Sequence, residues 1–188
     1  MTISLPPESP VTVEQEAHSL LEARSKSAHI NPSLSFIFQH PAFLLAFGGG
    51  FGLSLVAPGT MGTLVAYPLF VLLNQHLEPM QFLLVIGVMF SVGIWACGLT
   101  GKILKAHDHG GIVWDEIVAF LLVLFFTPDN IVWQAFAFLL FRLFDIYKPQ
   151  PIRYYDKKLS SGFGVMFDDM LAAFYTLLCL AVWKAFVL

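Results

Sequence analysis

The sequence predicts an all-α fold: a multi-helical integral membrane protein in which some helices are short, re-entrant or only partly spanning. Three observations carry this expectation. Hydrophobic residues make up 57% of the 188 and charged residues only 12%, about half the usual globular share of charge. The apolar residues gather in runs of helical length, without the sustained alternation that marks strands. Pro and Gly punctuate the boundaries, at Pro41, Gly48-Gly49-Gly50, Pro58-Gly59, Pro79, Gly110-Gly111, Pro128 and Pro149.

The elements follow in order. Residues 1–32 are polar and hold Pro6, Pro7, Pro10, Glu14, Glu16 and Glu22. No basic stretch leads directly into an apolar one there, so the segment reads as a flexible cytoplasmic tail rather than a signal peptide. Residues 33–188 then form the membrane domain. The run 34–47 suits an interfacial or re-entrant piece, and 63–77 an apolar helix opened by the segment 58–63. Runs 80–100 and 169–188 reach the ~20 residues that a ~30 Å hydrocarbon core requires. The pieces 112–126 and 131–141 fall short of it, with Thr127-Pro128-Asp129-Asn130 as the turn between them. They read as a tight hairpin packed within protein or entering from one face, so roughly three to five spans are expected. Pro149 and Pro151 end the 131–147 run and leave a loop to about residue 159.

Basic residues set the orientation. Loops 74–79 and 127–130 hold no Lys or Arg, whereas Lys102, Lys105, Lys148, Arg153, Lys157 and Lys158 lie in loops 101–111 and 142–159, with Arg142 at the helix edge. The positive-inside tendency puts the latter loops in the cytoplasm. Lys184 opposes this slightly and can snorkel. A net charge of −3 leaves no footprint for nucleic acid. Cys97 and Cys179 sit inside apolar runs, outside any CxxC or Cys/His cluster, and read as small core residues.

Against this apolar background the carboxylates Asp108, Asp115, Glu116, Asp145, Asp156, Asp168 and Asp169 stand out, interleaved with Arg142, Lys148, Arg153, Lys157 and Lys158. An ionised carboxylate at the edge of an apolar run is costly unless it is paired or binds a cation. The spacing collects four polar segments on the cytoplasmic face. In Pro58-Gly59-Thr60-Met61-Gly62-Thr63, Gly59 and Gly62 permit close backbone approach while Thr60 and Thr63 supply hydroxyls. At a helix N-terminus such a turn can receive an anion, although a plain helix cap is the simpler reading of the segment alone. In His107-Asp108-His109-Gly110-Gly111, both histidines read more readily as solvated loop residues than as ligands. Asp115 and Glu116 follow, about 100° apart on a helix, so one can ligate a metal while the other orients a ligand or holds a second ion. Arg142, Asp145 and Lys148 recur on one helical face, and basic residues beside a metal-holding acid suit a phosphate, whose oxygens Arg matches bidentately. Asp168 and Asp169 stand at the mouth of the last apolar run. Oxygen-only donors favour Mg²⁺ or Mn²⁺ over zinc.

These four segments, in this order, closely resemble the phosphatidylglycerophosphatase A family over roughly residues 35–185. The resemblance rests on 58–63, on His107 through Glu116, on Phe141-Arg142-Leu143-Phe144-Asp145-Ile146-Tyr147-Lys148-Pro149-Gln150-Pro151-Ile152, and on Gly162 through Asp169. One small departure is Ala119, where a glycine is common. The resemblance implies Mg²⁺-dependent hydrolysis of phosphatidylglycerophosphate to phosphatidylglycerol and phosphate, a step of phospholipid biosynthesis at the bacterial inner membrane, with a multi-pass chain whose site faces the cytoplasm.

The expected metal set is Asp115, Glu116, Asp145, Asp168 and Asp169, with Asp115, Asp145, Asp168, Arg142 and Lys148 catalytic. Gly59, Thr60, Gly62, Thr63 and Arg153 would hold the substrate, and the apolar helices its diacyl chains. A metal-activated water is the expected nucleophile, since the Asp-x-Asp pair of aspartate-nucleophile phosphatases is missing. Asp108 and Asp156 are expected in loop or supporting roles. An ion or proton transporter is the rival from another class, but it calls for acids near mid-helix and repeats that the sequence does not show. The Asp-Gly-x-x-Ala-Arg segment of CDP-alcohol phosphotransferases is also absent.

Overall fold

The computed structural model describes residues 32–106 and 108–187. The expected N-terminal tail, apart from Pro32, and His107 lie outside these residues. The described residues are helical throughout, with no strand. Two short helices come first, α1 (Leu34–Ile37) and α2 (Pro41–Ala46). The Ser33 and His40 side chains accept amide hydrogen bonds at their N-termini. The 34–47 run, read as an interfacial or re-entrant piece, is divided at the boundary residue Pro41, which starts the second helix. A 3₁₀ segment (Gly48–Leu53) follows, in which Gly48, Gly49 and Gly50 all take positive φ. That left-handed run is open only to glycine at little cost.

Helix α3 (Pro58–His76) starts at Pro58, so the predicted 58–63 turn is itself helical. The long α4 (Pro79–Leu104) and the short α5 (Trp114–Phe126) come next, then α6 (Ile131–Tyr147), whose first turn is capped by the Asn130 side chain. Between the two prolines and the last helix the sequence reading left a loop, yet Ile152–Lys158 forms a short helix, α7. Ile152 is fully buried and fixes it against the body. The last helix, α8 (Gly162–Val187), begins seven residues before the apolar run it contains. Asp168 and Asp169 therefore lie in its second turn rather than at its mouth.

Helix α5 is the hub. Ile117, Val118, Ala119, Phe120, Leu121, Val123 and Leu124 are all buried, as expected of a helix that is apolar all round. It packs against α3, α4, α6 and α8. Its start is pinned from two sides: the Val113 amide donates to the Ala46 carbonyl at 2.9 Å, and the Trp114 indole to the Met89 carbonyl at 3.0 Å. Opposite, α4 and α8 approach so closely that a side chain at Gly162 would overlap the Ile94 carbonyl and Gly98.

Two of the described helices, Pro79–Leu104 and Gly162–Phe186, are long and apolar enough to cross a membrane by length and composition. Met80, Leu84, Val88, Phe174 and Leu178 are exposed on these two, and Leu64 and Leu72 on α3 and Leu139 and Leu143 on α6 are exposed as well.

Candidate active site

Topology brings the acids to one end of the helices. Asp115 and Glu116 occupy the first turn of α5, Arg142 and Asp145 the last turns of α6, and Asp168 and Asp169 the second turn of α8. Lys148 closes α6 in a left-handed conformation, φ 44°. A non-glycine residue rarely holds that conformation, and it costs roughly 1–2 kcal/mol. The turn carries the ammonium onto three carboxylates.

The site has two poles. At the first, one Arg142 nitrogen, Nη1, donates to Glu116 Oε1 at 2.8 Å and to Asp145 Oδ2 at 2.6 Å. It also reaches the Thr63 hydroxyl at 3.5 Å, and that hydroxyl donates to the Gly59 carbonyl at 2.9 Å. Helix α3 lies so near that a methyl at Gly59 would overlap the Glu116 carboxylate. Gly62 faces the other Glu116 oxygen and Val113 in the same way. These glycines thus admit the acid–arginine pair against the helix. Thr63 has its hydroxyl engaged within α3, whereas Thr60 is half-buried near the helix start.

At the second pole, Lys148 Nζ donates to Asp168 Oδ2 at 2.5 Å and Asp156 Oδ1 at 2.8 Å, with Asp108 Oδ2 at 3.6 Å. Asp108, Asp156 and Asp168 have the spacing of a metal-ligand set, but the Lys148 ammonium already supplies the positive charge among them. Burial works against that ammonium, and Asp168, Asp156 and Asp108 outweigh it, raising the Lys148 pKa.

Asp115 and Asp169 are both buried. Repulsion reaches Asp169 from Asp145, Asp115, Asp168 and Glu116, which ties the two poles into one acidic pocket. Asp115 Oδ1 accepts from the Glu116 amide at 3.0 Å. Burial, then Glu116, Asp108 and Asp168, push its carboxyl well above the usual range. Burial and Asp145 push Glu116 up to about 8 despite Arg142. Among the described residues, four buried side-chain polar atoms have no hydrogen-bond partner: Glu116 Oε2, Asp168 Oδ1, Asp169 Oδ2 and Arg142 Nε. Three of them are carboxylate oxygens. Buried acids in such excess, with oxygens left unpaired, fit a hard divalent cation, which takes oxygen ligands and reverses the local preference for protonation.

Not every residue singled out from sequence joins this group. Arg153 is exposed on α7 and donates to the Tyr147 carbonyl at 3.3 Å. His109 uses Nδ1 to accept from the Gly111 amide at 3.0 Å and packs on Phe47, so it serves its own loop. Burial lowers its pKa, against the pull of Asp108. Conversely, the contact of Asp108 and Asp156 with Lys148 went beyond the general supporting role read for them. Their only sequence signal was acidity beside a predicted site.

Comparison with known proteins identifies the family. The phosphatidylglycerophosphatase A family matches residues 44–184. A phosphatidylglycerophosphatase A of Haemophilus influenzae is 45% identical over 149 residues, covering 79% of this chain and 91% of that protein. The Escherichia coli phosphatidylglycerophosphatase A is 41% identical over 135 residues, covering 71% and 78%. A Bacteroides thetaiotaomicron protein, provisionally described as a phosphatidylinositol-3-phosphatase, is 37% identical over 155 residues, covering 77% and 96%. No solved structure matches the chain. The match spans every helix that contributes an acid or a base to the pocket, and the chain belongs to the phosphatidylglycerophosphatase A family of lipid phosphatases.

Proposed function

We propose that this protein hydrolyses phosphatidylglycerophosphate to phosphatidylglycerol and phosphate, with Mg²⁺ held in the acidic pocket. The observation that carries the reading is the set of unpaired, buried carboxylate oxygens on Glu116, Asp168 and Asp169 beside two basic side chains. Asp115, Glu116, Asp168 and Asp169 would hold the cation, with Asp145 joining if Arg142 turns to substrate. Bound there, Mg²⁺ would supply positive charge to the phosphoryl oxygens and lower the pKa of a water nucleophile.

The protein's own groups do the rest. Arg142 and Lys148 face a phosphomonoester from opposite sides and neutralise charge that grows on its oxygens during transfer. Each is already held by carboxylates, so each is positioned before substrate arrives. Thr60 and the first free amides of α3 offer further donors, while Arg153 lies nearer the rim. The exposed apolar faces of α3, α4, α6 and α8 fit a bilayer, since a soluble monomer rarely shows so much contiguous apolar surface. The placement proposed is the bacterial inner membrane, in several passes, with the pocket toward the cytoplasm, which the positive-inside tendency of the basic loops supports.

A transporter is not favoured. Helix α4 carries no acid anywhere along its 26 residues, and the acids gather at one end rather than forming a relay. The test is phosphate release from phosphatidylglycerophosphate micelles by purified protein, with Mg²⁺ or EDTA present. Release that EDTA abolishes is expected. No EDTA-sensitive release would refute the reading. Parallel assay of phosphatidylinositol 3-phosphate would show whether the headgroup chemistry is shared with the Bacteroides relative.

A further inference from the structure

Three helices that build the Arg142 pole carry, one turn further from it, the walls of an apolar groove. On α3, Thr63 is followed a turn later by Tyr67. On α5, Glu116 is followed by Phe120, and on α6, Phe138 precedes Arg142 by one turn. Tyr67, Phe120 and Phe138 line an open groove of about 310 Å³, together with Leu64, Ala135 and Ile131. Thr63 lines its upper end and is also the residue that meets Arg142. From Phe138 to Ile131 the groove follows α6 for about two turns, or ~10 Å, away from the acids. The wall is almost wholly apolar, and Gln134 turns its amide to Asp129 at 3.4 Å. Other grooves lie elsewhere: one of about 670 Å³ between α4 and α8 around Trp95 and Gly162, one on the outer face of α4 around Met80 and Val88, one at the far end around Phe126 and Lys184, and a small one on α7 around Arg153. None of these includes a residue that bonds to Arg142 or Lys148.

We infer that this groove seats one acyl chain of the lipid substrate and fixes the depth at which its phosphate enters the pocket. The inference rests on the function proposed above and adds a place for the tail. The occupant follows from continuity. A molecule with its phosphate between Arg142 and Lys148 and an apolar tail has one described groove leading directly from the Arg142 pole, and that groove has the tail's chemistry. Contact with the wall is made equally in ground and transition states, so it should govern apparent affinity rather than the chemical step.

Ala135 is exposed on α6 and outside the catalytic pocket, so Ala135→Trp fills the groove without creating a cavity. Val88→Trp, on the exposed face of α4, is the control for added bulk. With dipalmitoyl phosphatidylglycerophosphate, Ala135→Trp should raise KM about tenfold at little cost in kcat, whereas the dihexanoyl substrate should change by less than about twofold. Val88→Trp should change neither. As a second readout, the long-chain substrate carrying a diazirine in one acyl chain should label α3 near Tyr67 and α6 near Phe138 in the wild type. Equal losses on both substrates, unchanged KM on the long chain, or labelling confined to the α4 face would overturn the groove assignment alone. So would a larger particle mass that Ala135→Trp disperses, since a second copy would then occupy the groove. Wild-type protein that releases no phosphate from either lipid would overturn the proposed function and the groove together.

Discussion

The two poles of the pocket hold their bases differently. Arg142 is 13% exposed and its partners Glu116 and Asp145 are 12% and 11% exposed, all three on helices. Lys148 is 21% exposed; of its partners, Asp168 is 5% exposed, while Asp108 at 48% and Asp156 at 28% lie on a loop and on the short helix α7. A buried guanidinium with one nitrogen held between two helical acids is rigid and part of the architecture. An ammonium on a flexible stem, shared among three acids of rising exposure, can exchange one of them for a substrate oxygen at little cost. Both bases face the phosphate, but Arg142 also holds the pocket's shape, whereas Lys148 is the freer of the two to receive it.

Four substitutions or conditions can break or sharpen that contrast. Asp169→Asn removes a buried carboxylate that has an oxygen without a protein partner, and kcat should fall about a thousandfold, ~4 kcal/mol, with the helical circular dichroism unchanged. Retained turnover would exclude Asp169 from the metal set. Arg142→Lys should cost about a hundredfold and also lower the melting temperature. A lysine lacks the planar guanidinium that sets one nitrogen between Glu116 and Asp145, and an ammonium that meets only one of them leaves a buried acid unpaired. Loss of activity without loss of stability would make Arg142 a substrate ligand first. Lys148→Met should lower kcat about tenfold, as expected for a group that meets charge growing on the phosphate, and should lower the melting temperature less than Arg142→Lys does, since Asp108 and Asp156 remain partly solvated. A matching fall in stability would erase the distinction between the poles.

The smallest effect concerns pH. Glu116 is pushed up from 4.5 to about 8 in the folded protein, so the folded chain keeps a proton that the unfolded chain has released. Metal-free protein should therefore lose stability as pH rises between about 4.5 and 8, by a few degrees in melting temperature. Added Mg²⁺ should remove that dependence. A melting temperature that rises across this range without metal would contradict the burial of Glu116.

Much of this was legible in the sequence because an apolar chain makes every charge an outlier. Helix α5, α6 and the two long helices were visible as runs bounded by Pro and Gly, and the acids stood out at their edges. The pairing of Arg142 with Glu116 was not legible, since the nearer Asp145 on the same helix face explains Arg142 by itself. Helix α7 was missed because Pro149 and Pro151 announce a break, and only the burial of Ile152 restores helical structure after them. The 58–63 segment was read as a turn because its two glycines suggest one. Their use is steric: they let α3 lie against the Glu116 carboxylate, and no local pattern reports a contact between positions so far apart.

The central claim is that the acids around Asp169 take a divalent cation, and manganese, a paramagnetic stand-in for magnesium, tests it without substrate. Free Mn²⁺ gives a sharp electron paramagnetic resonance signal that protein binding quenches. Purified wild-type protein should quench it stoichiometrically, excess Mg²⁺ should restore it, and Asp169→Asn should fail to quench. Wild-type protein that leaves the signal intact would contradict the account.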